Sequence, residues 1–238
     1  MRDDVVLSAW ARHFRNQYCL DGQIDALRKG TGYSRAEYLN NIKFPDAIPG
    51  LGPSIRAGDF AEVLVADYVE FLLKYWVPRT RYSNKIIRNE SLKGSDVIGF
   101  RFVEKGRDPK QDALAMFETK TDFSGKGTSQ RLQDAIDDSA KDPIRKAESL
   151  NAIKQRFLDL QQLEEAERIE RFQNPADRPY QEYFGAVVVL ETLHFDKQSI
   201  VRADASAHPS SNLALLVIHG SDMIALIREL YRRAADEA

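Results

Sequence analysis

Asp96, Glu118 and Lys120 are the residues of this chain whose types and spacing can do chemistry together. Gly94-Ser95-Asp96 opens one apolar run, and Phe117-Glu118-Thr119-Lys120 closes another. In an extended strand positions i and i+2 share a face, so Glu118 and Lys120 point one way and Thr119 the other. An Asp at the lip of the neighbouring strand then brings a second carboxylate to the same point. Two acids and one ammonium gathered this way are the minimal equipment for metal-dependent hydrolysis of a phosphodiester. That reaction needs a deprotonated water, an electrophilic phosphorus and relief of charge on the leaving oxygen, all of which Mg²⁺ can supply. Mg²⁺ prefers oxygen, binds through one or two carboxylates and keeps several waters, so Asp96 and Glu118 suit it or Mn²⁺ as direct ligands. The Thr119 carbonyl is the expected third oxygen. Lys120 would orient or help deprotonate the attacking water and stabilise charge in the transition state. Two adjacent anions favour its charged form.

The same residues have plainer readings. Alternating charges line the wet face of many half-exposed sheets, and an Asp beside Gly-Ser is a common turn residue. Three features favour chemistry: the run before Glu118 (Ala113-Leu-Ala-Met-Phe117) is wholly apolar, Asp96 heads an adjacent strand, and a helix upstream presents Glu62. That helix is expected over 54–76, ending before Pro78. Its polar positions Asp59, Asp67, Glu70 and Lys74 share an arc, whereas Glu62 falls in line with Ala66, Val69 and Leu73. A carboxylate on an apolar stripe needs a partner or a metal, so Glu62 would bind an ion through water or hold a second one. The alternative is a partly solvated acid helped by the helix dipole.

Around these residues the pattern predicts helices over 3–20, 23–27 and 35–42, the last capped by Ser34, then a Pro- and Gly-rich loop over 44–53. Strands are expected over 81–88, 96–103 and 113–121, followed by a charged helical region over 129–172 that breaks at Asp142-Pro143. Its alternating charge signs mark it as outer scaffold or partner surface. Two more strands, 183–195 and 213–219, lead through Ser221 as N-cap into a helix over 222–234. The expected fold is thus α/β of the α+β type, a central mixed sheet flanked by helices. A helical amino-terminal subdomain, 1–50, would precede a second domain, 51–238.

Composition sets outer bounds. With 238 residues, 43% hydrophobic and 29% charged, the chain can build a real core. Its net charge of -2 means that any nucleic-acid surface must come from local clustering of cations. Such a cluster flanks the candidate site: Arg79, Arg81, Lys85, Arg88 and Lys93 before it, Lys126 and Arg131 after it, with Tyr82 placed to stack on a base. A solvated loop face is the competing reading for any one of them. The single cysteine, Cys19, excludes a disulfide framework and a multi-cysteine zinc site. His13, His194, His208 and His219 are scattered and receive no role. No signal-peptide core and no membrane-length apolar run is present, so a cytoplasmic protein is expected.

Gly58-Asp-Phe-Ala-Glu62, Lys93-Gly-Ser-Asp96, Phe117-Glu-Thr-Lys120 and Asp134-Ala-Ile-Asp-Asp-Ser139 together resemble the HamA family, nuclease subunits of the Hachiman anti-phage defence system. The likeness runs over about 56–156. It implies a restriction-endonuclease-like core of the PD-(D/E)XK superfamily, with Glu62, Asp96, Glu118 and Lys120 in the four active-site roles. It further implies DNA as substrate and a helicase (an ATPase) as partner, which the amino-terminal residues could dock. Two competitors stay open: a restriction- or repair-type nuclease that works without a helicase, and a non-catalytic module that only binds DNA or protein on the same fold.

Overall fold

The structure is a computed structural model that describes residues 3–48, 50–103, 108–125 and 130–238. Along the chain run helices α1 (Asp4–Tyr18), α2 (Ile24–Arg28), α3 (Arg35–Tyr38) and α4 (Gly52–Asp67), then strands β1 (Val97–Arg101) and β2 (Ala113–Asp122). Helices α5 (Arg131–Ser139), α6 (Asp142–Asp159) and α7 (Leu163–Glu170) follow, then β3 (Gln181–Glu191), α8 (Lys197–Val201), β4 (Leu213–Gly220) and α9 (Met223–Asp236). The fold is α+β with one mixed sheet, in the order β1-β2-β3-β4. The β1–β2 pair is antiparallel, and β2–β3 and β3–β4 are parallel.

Two compact units divide the chain, each built from separate segments. The first comprises Met1–Val63, Arg79–Leu92 and Ser221–Ala238, the second Leu64–Pro78 and Lys93–Gly220. In the first unit, Asp3 caps α1 by accepting from the Val5 and Val6 amides, and Ser34 with Glu37 forms a capping box on α3. Phe14 and Tyr18 of α1 meet Tyr231 of α9 and Phe44 in edge-on contacts, burying all four rings.

In the second unit the even-numbered residues of β2 and β3 share one face of the sheet, which α5, α6 and α7 cover. Leu114, Met116 and Phe184 pack with Leu150 and Phe157 of α6 and Ile169 of α7, while Ala186, Val188 and Leu190 pack with Leu132, Ala135 and Ile136 of α5. On the opposite face Gly99 lets Val69 and Tyr75 approach to distances that a Cβ would not allow.

Three expectations fail. The 81–88 segment is a 3-10 turn (Tyr82–Asn84) within irregular chain, so among the described residues the sheet has four strands rather than the expected five. The helical region breaks twice: at 140–141, beside Asp142-Pro143, and again at 160–162, where Gln161 takes a φ of 58°. Ser221 is not the cap of the last helix; Asp222, at a φ of 60°, holds that position. No helix among the described residues is long and apolar enough to cross a membrane.

Candidate active site

The β1–β2 register sets the site. Val97 faces Phe117, so one step outward Asp96 stands across from Glu118 on the helix-covered face. Asp96 is fixed there by accepting from the Thr119 amide, at 3.0 Å from Oδ2. The turn that delivers it needs Gly94, whose φ of 92° disfavours any side chain. Glu118 is 5% exposed, at the end of the apolar β2 run. Its Oε1 accepts from Lys120 Nζ at 2.7 Å, whereas its Oε2 is buried with no hydrogen-bond partner among the described residues. Thr119 points to the other face, and its buried Oγ1 likewise has no partner among them. The structure therefore brings Asp96, Glu118 and Lys120 together.

The α5–α6 corner completes the surroundings, contrary to its expected place as outer scaffold. Asp138 Oδ2 lies 2.5 Å from Lys120 Nζ, and its other oxygen pairs with Lys141. Burial opposes the Lys120 charge, yet the hydrogen bonds to Asp138 and Glu118 outweigh it and hold the ammonium well above the usual lysine range. Asp142 is fully buried, accepts from Ser95 Oγ at 2.8 Å through Oδ1, and has no partner for Oδ2 among the described residues. Burial, reinforced by the nearby Glu118 and Asp138 charges, pushes its carboxyl up to about 6 against the relief given by Ser95 and Arg145. Ser149 accepts from the Ser95 amide at 3.3 Å, so α6 pins the turn beside Asp96 from two sides. A sequence signal existed for Asp138, which follows Ala135 by three on the flank of the stripe that α5 buries.

Glu62 belongs to the first unit, where Oε2 accepts from Arg81 Nε at 2.8 Å and from the Tyr82 hydroxyl at 2.5 Å. The acid on the apolar stripe thus has protein partners.

The family model for HamA matches residues 2–234, nearly the whole chain. The chain belongs to the HamA family. That membership assigns it to Hachiman anti-phage defence. No curated protein shows significant similarity to it.

The remaining cations of this HamA chain divide by environment. Lys85 is buried, its side chain 2% exposed, with Nζ 2.6 Å from Asp59 Oδ2. A lysine spent on an internal ion pair does not reach a phosphate, so its expected role as a DNA contact is withdrawn. Tyr82 is likewise unavailable for base stacking, because its ring is buried 5.2 Å from Tyr18. Arg88 ties two loops through Asp46 at 2.6 Å and the Asn40 carbonyl at 2.7 Å. Lys93 is exposed, and Arg131 is half-exposed, 3.1 Å from Asp134. Lys126 lies outside the described residues.

Proposed function

We propose that this HamA-family chain is a Mg²⁺- or Mn²⁺-dependent DNA nuclease, with Asp96, Glu118 and Lys120 as its PD-(D/E)XK set, controlled by a helicase partner. The observation that carries the reading is Glu118. A buried carboxylate with one oxygen on Lys120 and the other unmatched is costly unless a cation or an ordered water meets it. The donor set is hard oxygen throughout, which suits these ions. Among the described residues no three His, Cys, Asp or Glu side chains are grouped so that they could hold a metal ion by themselves. Ligation through Asp96, Glu118 and the Thr119 carbonyl would therefore leave positions for water, as Mg²⁺ prefers.

When bound, the ion supplies Lewis acidity at the phosphate and lowers the pKa of a water. The chain does the rest. Asp96, locked by the Thr119 amide, and Glu118, on the β2 wall, offer the two carboxylates. Lys120 donates toward the reacting phosphate and attacking water, and its strongly held charge suits it to stabilise the transition state rather than to accept a proton. Lys93 and Arg131 serve as phosphate contacts, whereas Arg81 and Arg88 are held by Glu62 and Asp46.

Calorimetric titration with Mn²⁺ tests the metal reading without relying on activity. The wild-type chain is expected to bind, and Glu118→Gln to lose at least about tenfold in affinity, a difference of about 1.4 kcal/mol. Equal binding by the two would overturn it.

A further inference from the structure

We infer that Asp138 is a positioning residue that keeps the Lys120 amine in place when Glu118 turns to serve a metal ion; this rests on the nuclease reading above. Glu118 Oε1 now spends itself on Lys120 Nζ at 2.7 Å. A carboxylate drawn onto a cation weakens its hold on that amine, and a lysine on a four-carbon stem then regains its rotamer freedom. Asp138 prevents this from an independent element. Its Oδ2 stands 2.5 Å from Nζ, on the side of Lys120 that α5 covers.

The anchor itself is rigid. Leu132, Ala135 and Ile136 bury α5 against Ala186, Val188 and Leu190 of β3. The second oxygen of Asp138 pairs with Lys141, which fixes the carboxylate plane and balances its charge. Both oxygens are therefore committed, and neither competes with Glu118 for the ion. A merely structural tie of α5 to β2 would use the same contacts, but its loss would lower stability without acting on turnover.

Steady-state cleavage of a duplex oligonucleotide separates the two, alongside labelling of Lys120 by an amine-reactive ester read by mass spectrometry. Asp138→Asn is expected to lower kcat about 10- to 100-fold with KM within about twofold, the effect of losing a group that orients a reacting residue. Asp138→Glu should recover part of kcat, and Lys120 should label faster in Asp138→Asn than in the wild type. If kcat falls only in step with the thermal midpoint while labelling stays at the wild-type rate, Asp138 is a structural tie and the inference is overturned. Should the wild-type chain fail to cleave, the nuclease reading fails instead, and unchanged Lys120 labelling would still refute the anchoring role by itself.

Discussion

Asp142 carries a charge problem that its neighbours only partly relieve. Its carboxyl is raised to about 6, chiefly by burial, with Glu118 and Asp138 adding to the shift and Ser95 and Arg145 opposing it. Folding therefore favours the neutral acid. The stability it contributes is fully present below the ordinary carboxylate range and is lost as pH rises through about 6. Asn cannot ionise yet still accepts from Ser95. In metal-free buffer, Asp142→Asn should thus gain on the wild type by about 3 kcal/mol between pH 4 and pH 7, on the order of two pKa units of linkage. Urea unfolding at both pH values checks this, and a difference that stays constant with pH would exclude it. At this scale the sequence was legible where chemistry follows from local spacing. Glu118 and Lys120 share a face because they are two apart in a strand, and Asp96 meets them because it heads the next one. Asp138 was hidden by the charges around it, which make α5 read as a solvated helix, and Asp142 by its place at the start of α6, past the break at 140–141.

The misread segment 81–88 shows where pattern reasoning gives out among the elements. Alternating polar and apolar residues suggest a strand with polar side chains facing outward. Here Tyr82 and Lys85 turn inward and Ile86 is 92% exposed, because the acids of α4 bind them: Glu62 accepts from Tyr82, and Asp59 pairs with Lys85. Nothing within 81–88 announces those partners; they lie about twenty residues away or more. The strands β1 to β4 were legible because each is a local apolar run, and Ser34 because a capping box is complete within four residues. The inward turn predicts that Lys85→Ala destabilises the chain by about 3–5 kcal/mol near pH 7, since it strands the buried Asp59 carboxylate. The loss should shrink toward pH 5, as Asp59, raised by burial to about 6, takes up a proton. A phosphate-binding surface lysine would instead leave the unfolding midpoint nearly unchanged.

For the whole molecule, HamA membership over residues 2–234 fixes the defence system, and the sheet fixes which side chains meet. We propose that Asp96, Glu118 and Lys120 make one metal-dependent phosphodiesterase site. The most direct measurement incubates supercoiled DNA with the wild-type chain, Glu118→Ala and Lys120→Ala, each with Mg²⁺ or Mn²⁺ and with a chelator. Nicked or linear product is expected from the wild type with metal only, with at least about a hundredfold loss in either variant. Undiminished cleavage by both variants, or cleavage by the wild type in chelator, would contradict the account.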